Sequence, residues 1–445
     1  MTTLLDLSLV SGPLVVGVYA ISIVALILLA DAFIRVRRFG RGRRFGIAVA
    51  VLLIGLIGGA ALAASLDGRD GPFGVDFTPV TRVSIGLGLG GLGLAIVVAV
   101  HAFTHRKVRR RLRGIVASLA VAVLVFATTA MTVNIDFGQY PTVRSALGIS
   151  AYSTVPVPVA AATGPHSDLA SWTAPAGMAT VGTVTTVSIP ATASGFAARD
   201  AVVYLPPAAL TSKPPLLPVM VMLSGQPGSP SDPLSTEKLQ PALDSYAAAH
   251  AGLAPIVVSP DQLGDPTANP MCIDSPLGRS ATYLTVDVPD WIRGHLPVLG
   301  DAQHWAVGGL SEGGTCAIQL GAAFPELFGN IVDASGELAP TLGNDADTIQ
   351  RAFGGNAAAY EASKPLSIMA AKAPYKNTFA LFGVGANDTG FLPSAKTVYA
   401  AAKAAGMDAT YYEVPGSAHD ATAWSAIFDK GLELLAARWK LVPAS

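Results

Sequence analysis

Hydrophobic positions along this chain fall into two regimes. Up to residue 133 they come as long unbroken runs, near residues 9–30, 45–66, 83–103 and 112–133. Each run is about 20 residues, hence about 30 Å as a helix, enough to cross the hydrocarbon core of a bilayer. Pro13 stands in the first turn of the first run, where a missing N–H costs little. The glycines between Gly86 and Gly93 suit close approach of one helix to another. From about Val181 the runs shorten into β-rich segments alternating with helical stretches, the pattern of a sheet covered by helices. Thr183–Ile189 and Asp200–Leu205 predict an opening antiparallel pair. Buried strands are predicted at Val219–Leu223, Pro255–Ser259, His304–Leu310, Asn330–Ala334, Thr378–Val384 and Ala409–Val414. Helices are predicted near 235–250, 284–296, 313–323, 391–406 and 420–438. The expected organisation is a four-helix transmembrane region over 1–133, an Ala-, Thr-, Ser- and Pro-rich linker over 134–178 containing Val155-Pro156-Val157-Pro158, and an α/β domain over 179–445.

Charge adds an orientation. Only 13% of residues are Asp, Glu, Lys or Arg, well under a soluble norm of roughly a quarter. The net charge of -1 conceals two basic clusters, Arg35 to Arg44 and Arg106 to Arg113, which together hold 12 of the 29 Lys and Arg. They lie in the first and third connections between the apolar runs, whereas the second carries Asp67, Asp70 and Asp76. Basic connections stay in the cytoplasm, so both termini, and everything after about residue 134, are expected outside it. Clusters placed this way read as topological, not as a nucleic-acid surface. The first run lacks a basic lead-in and is followed by arginines instead of a small-residue cleavage site, which argues against a removed signal peptide. No Asp, Glu, Lys or Arg stands near the middle of a run, so a transport pathway is disfavoured and the lipid bilayer is a partner through anchoring. His101, near the cytoplasmic end of the third run, reads as an interfacial residue.

The chemistry lies in the second half. His304-Trp305-Ala306-Val307-Gly308-Gly309-Leu310-Ser311-Glu312-Gly313-Gly314 is a predicted strand entering a helix through G-x-S-x-G. Such a turn thrusts a serine above the sheet, and its glycines leave room where a Cβ would clash. Serine at its ordinary pKa is a poor nucleophile, so a histidine must take its proton and an acid must orient that histidine. Of the four histidines in this domain, His250 ends a helix, His295 lies within one and His304 begins the strand before the elbow. His419 fits instead, in Pro415-Gly416-Ser417-Ala418-His419-Asp420 after the last strand. Asp388, at the carboxyl end of the penultimate strand, is the expected acid, with Asp333 and Glu337 as alternatives; Asp420 is expected to cap the last helix. The oxyanion site needs two backbone N–H groups. Glu312, next after the nucleophile, supplies one, and Gln226 in Ser224-Gly225-Gln226-Pro227-Gly228 supplies the other, with Gly225 the runner-up.

Cys272 and Cys316 show none of the C-x-x-C or Cys/His spacings of zinc sites, so neither a metal nor another cofactor is expected. Outside the cytoplasm they would form one disulfide; the alternative is two buried thiols.

These residues carry a resemblance. Arg199-Asp200-Ala201-Val202-Val203-Tyr204-Leu205-Pro206-Pro207, the Leu223–Gly228 loop, the Gly309–Gly314 elbow and the Pro415–His419 loop make residues 180–440 similar to the esterase group of α/β hydrolases that includes S-formylglutathione hydrolase and the mycolyltransferases. The resemblance implies an α/β-hydrolase fold and acyl-enzyme chemistry on esters or thioesters. Mycolyltransferases are secreted without four spans and often use Glu as the acid, and S-formylglutathione hydrolases are cytoplasmic, so neither substrate carries over. The expected function is a membrane-anchored extracytoplasmic serine esterase acting on acyl esters, with lipid- or wall-linked esters suggested by proximity to the envelope. An acyltransferase would share the same acyl-enzyme. An inactive hydrolase-fold sensor or scaffold is the reading from another class, and the intact Ser, Asp and His argue against it.

Overall fold

Four long helices fill the N-terminal part of the computed structural model: α1 (Pro13–Ile34), α2 (Arg41–Ser65), α3 (Pro79–Ala102) and α4 (Val108–Phe137). The structure describes residues 4–35, 40–66, 77–104, 107–147, 149, 152 and 164–441. Arg37, Arg38, Asp67, Asp70, Asp76, Arg106 and Val155–Pro158 lie outside the described residues. The chain divides into two units, Met1–Ile149 and Ser150–Ser445.

All four helices are long and apolar enough to cross a membrane. Their outward side chains, among them Ile54, Ile57, Ile96, Leu119 and Phe126, are exposed, as a lipid-facing surface requires. Helices α2 and α3 meet through glycine. A Cβ on Gly55 would lie 2.2 Å from Gly90 Cα, and one on Gly59 would lie 2.6 Å from Gly86 Cα. Such approach is how helices associate where no hydrophobic force drives them together. His101 makes two contacts near the end of α3: its Nε2 lies 3.3 Å from Nη2 of the buried Arg44, and its ring packs edge-on against Phe33. The Arg44 guanidinium also donates to Phe33 O at 2.9 Å, satisfying a carbonyl at the end of α1. Helix α4 runs four residues into the predicted linker and stops at Gly138, whose φ of 73° suits the left-handed cap.

The C-terminal unit is built on strands β1 (Thr183–Val187), β2 (Ala201–Leu205), β3 (Val219–Leu223), β4 (Ile256–Ser259), β5 (Asp274–Ser275), β6 (Gly278–Arg279), β7 (Trp305–Leu310), β8 (Asn330–Ala334), β9 (Phe379–Gly385) and β10 (Asp408–Val414). Eight form one sheet in the order β1-β2-β4-β3-β7-β8-β9-β10, and β5 and β6 pair separately. β1 runs antiparallel to β2, with Thr183 opposite Leu205, and β2 antiparallel to β4; the remaining pairs are parallel. Strands β2, β3, β4, β7, β8 and β9 are buried along their whole length, which is why they read as continuous apolar runs: helices cover both faces of a parallel sheet. The eight predicted sheet strands are all present. The β5–β6 hairpin was not predicted, and residues 338–373 fold into three short helices, Asp345–Phe353, Ala357–Ser363 and Pro365–Lys372. This mixed, mostly parallel sheet with its helical connections is the α/β-hydrolase fold.

Part of the predicted linker packs on this unit. Trp172 is buried and donates Nε1–H to Ala251 O at 3.0 Å, Ser167 bridges to Pro215, and the Tyr152 hydroxyl donates to Gln240 Oε1 at 3.1 Å. Averaged composition conceals single anchoring side chains of this kind. Because every parallel strand points the same way, the loops after β3, β4, β7, β9 and β10 gather at one edge, where ligands of open α/β sheets bind.

Candidate active site

Strand β7 ends at Leu310 and the elbow helix Glu312–Ala323 begins two residues later. Between them Ser311 takes φ 53° and ψ -116°, a conformation that an L-residue holds only under constraint. The constraints are backbone contacts. Ser311 N donates to Ala334 O at 2.8 Å, closing the elbow onto β8. A Cβ on Gly309 would meet Gly313 O at 2.3 Å, and one on Gly313 would meet Ser224 O at the same distance. Glycine at both positions is therefore required by sterics.

His419 stands on the loop after β10, where Gly416 (φ 76°) turns the chain. Its Nε2 lies 3.0 Å from Ser311 Oγ, and its Nδ1 lies 2.9 Å from Asp388 Oδ2. With Nδ1–H donating to Asp388, Nε2 is left to accept the serine proton. Asp388 is fixed in turn: its amide donates to Gly385 O at 3.0 Å and its Oδ1 accepts from Phe391 N at 3.2 Å. The imidazole is held on both sides by rings. Phe391 stacks on it at 4.0 Å between centroids, and Trp424 meets it edge-on at 5.1 Å. Asp388 and His419 are buried, while Ser311 keeps partial exposure.

The structure thus brings Ser311, His419 and Asp388 together. The alternative acids sit elsewhere. Asp333 accepts from Gly336 N at 2.8 Å, and its complete burial pushes its carboxyl up to about 8; the amide of Glu337 donates to Thr315 Oγ1. Asp420 caps the C-terminal helix Ala421–Arg438 through Ala423 N at 2.9 Å. The other histidines are occupied: His250 Nδ1 lies at Tyr246 O, His295 Nδ1 at Trp291 O and His304 Nδ1 at Asp301.

Across the elbow lies the loop Ser224–Gly228. A Cβ on Gly225 would stand 3.6 Å from Ser311 Cβ, so this backbone runs directly beside the serine. Gln226 is tied by its side chain, Nε2–H to Thr267 O at 2.9 Å. Cys272 and Cys316 are joined as a disulfide that fastens the loop before β5 to the elbow helix. The Glu312 side chain lies against it, with Oε1 3.0 Å from Cys316 Sγ and Oε2 3.3 Å from Gln262 Nε2. A bonded sulfur has no hydrogen to give, so a hydrogen bond across this contact can only be donated by the carboxyl's own O–H. Burial acts the same way, pushing Glu312 up to about 8 against the opposing Gln262 hydrogen bond. Sequence reasoning missed Gln262 and Phe391. The available signal was position: Gln262 follows a parallel strand at its carboxyl end, and Phe391 lies three residues past the acid.

Residues 197–435 match the family described as Putative esterase. An uncharacterized protein of Corynebacterium glutamicum is 33% identical over 339 residues, covering 74% of this chain and 77% of its own length. Among solved structures, an S-formylglutathione hydrolase from Agrobacterium tumefaciens is 20% identical with a TM-score of 0.47, over 59% of this chain and 98% of that one. A ferulic acid esterase is 18% identical, also with a TM-score of 0.47, over 58% and 98% respectively.

Proposed function

Because the chain belongs to the Putative esterase family and is an ester-hydrolysing enzyme, we propose that Ser311, His419 and Asp388 cleave acyl esters through an acyl-enzyme formed on Ser311. The observation that carries this reading is the continuous relay from Ser311 Oγ to His419 Nε2 at 3.0 Å and from His419 Nδ1 to Asp388 Oδ2 at 2.9 Å. Ser311 Oγ attacks the acyl carbonyl as His419 takes its proton. The same imidazole then gives that proton to the leaving alcohol, while Asp388 holds the ring in register. The backbone amides of Glu312 and Gln226 receive the oxyanion. Water completes hydrolysis; an acceptor alcohol on the same acyl-enzyme would complete acyl transfer.

The site is placed outside the cytoplasm, with residues 1–133 as a four-span membrane anchor and the catalytic domain following the 134–178 stretch. Two independent features support this. Basic residues crowd the first and third connections, and the disulfide Cys272–Cys316 belongs to oxidising compartments. Esters carried on lipid or wall polymers are the substrates that such a placement would favour.

Turnover of p-nitrophenyl butyrate by the full chain in detergent, set beside Ser311→Ala, tests the chemistry. The variant should lose up to about 10⁶ in kcat. Equal turnover in the two proteins would sink the assignment.

A further inference from the structure

Gln262 is fully buried, lies just past β4 and has no part in the chemistry proposed above. Its Nε2 donates to Ser224 O at 2.6 Å and to Glu312 Oε2 at 3.3 Å, with Ser224 Oγ also at 3.2 Å. These partners belong to different loops. Ser224 opens the loop that carries Gln226, and Glu312 follows the nucleophile. An amide nitrogen has two hydrogens, and here one goes to each side of the oxyanion site.

The rest of the segment after β4 repeats the arrangement. Pro266 O accepts from Gly228 N at 3.1 Å, and Thr267 O accepts from the Gln226 side chain at 2.9 Å. Asp261, paired with Arg199 at 2.7 Å, orients a guanidinium that also donates to Gly228 O at 3.0 Å. Ten residues on from Gln262, Cys272 is bonded to Cys316 in the elbow helix. One segment therefore laces the β3 loop to the β7 elbow, and Gln262 touches both.

We infer that Gln262 is a positioning residue that sets the spacing between the backbone amides of Gln226 and Glu312, so that both donors stand ready before the oxyanion forms. The inference rests on the serine-esterase reading. Donors that need not reorganise are the source of oxyanion-hole catalysis, and deleting one outright costs about 10²–10³ in kcat. Gln262 acts through two donors without being either, so its loss should cost roughly 10-fold to 100-fold.

The test is Gln262→Met in the full chain in detergent, which keeps length and volume but removes both hydrogen bonds. Rates are normalised to active sites titrated with a fluorophosphonate. For p-nitrophenyl butyrate, kcat should fall by about 10-fold to 100-fold with KM within twofold. Inhibition by a trifluoromethyl ketone, which captures the tetrahedral oxyanion on Ser311, should weaken by the same factor, while affinity for the product alcohol stays unchanged. Gln262→Leu, which also lacks the donor and cannot regain one by protonation, should behave like Gln262→Met and serves if the methionine variant does not fold. Unchanged kcat in a folded variant, or equal weakening for the ketone and the alcohol, would overturn the inference. Absence of turnover and of fluorophosphonate labelling in the wild-type protein would instead remove the esterase reading beneath it.

Discussion

Replacing Glu312 by Gln takes one titrating proton out of the elbow and keeps the shape of the side chain. In the folded protein burial holds this carboxyl at about 8, against an ordinary 4.5. The folded state therefore binds the proton more tightly than the unfolded chain. Stability from this group is complete below about pH 4.5 and is lost progressively as pH rises through 8. At 1.36 kcal/mol per pKa unit, the loss amounts to about 3 kcal/mol by pH 7 and approaches roughly 5 kcal/mol by pH 9. Glutamine has no such dependence. The unfolding free energy of Glu312→Gln minus that of wild type should thus grow by about 3 kcal/mol between pH 4.5 and 7. The assay is urea unfolding followed by tryptophan fluorescence in detergent. All five tryptophans, Trp172, Trp291, Trp305, Trp424 and Trp439, lie in the C-terminal unit, so the signal reports that unit alone. Asp333 and Glu237 are also pushed upward by burial, but they titrate in both proteins and cancel in the difference. A difference that stays flat from pH 4.5 to 9 would refute the reasoning. A constant offset would report only the altered contact with Cys316.

Other perturbations address the remaining parts. Asp388→Asn should lower kcat by about 10³–10⁴ with little change in KM, because an amide facing Nδ1 favours the wrong imidazole tautomer; steady-state kinetics checks it. Changing Cys272 and Cys316 together to Ala opens a loop of 44 residues, and chain entropy predicts a loss of about 4 kcal/mol in the same urea assay, with no shift outcome counting against it. Gly55→Val forces α2 away from α3, since even a Cβ would lie 2.2 Å from Gly90 Cα; the yield of monodisperse protein in detergent should fall. If the catalytic domain lies outside the cytoplasm, protease added to intact cells stripped of their wall should digest it, and protection equal to that of a cytoplasmic marker would reverse the orientation.

What could be read from sequence follows the range over which each constraint acts. The elbow was legible because its demand is local: a serine at φ 53° flanked by glycines at 309 and 313 is one turn of chain. The meeting of Asp388 and His419 beside Ser311 was legible through the rule that loops after parallel strands gather at their carboxyl ends, which needs only strand order. Trp172 was lost in a linker composition, and strands of two residues such as β5 and β6 are too short to show a period. Gln262 and the Glu312 side chain were illegible for a different reason. They meet across 50 residues, and no periodicity records such a meeting. Their juxtaposition nevertheless resolves an apparent conflict in the sequence. A charged carboxylate on the residue whose amide is proposed to receive an oxyanion would oppose the charge that develops there. Desolvation of the Glu312 carboxyl beside the disulfide sulfur at 3.0 Å makes a neutral carboxyl the better tenant of that position, against the pull of the Gln262 hydrogen bond on the far oxygen. A strongly acidic residue type can therefore occupy the elbow without weakening the site, provided the segment after β4 stays closed over it.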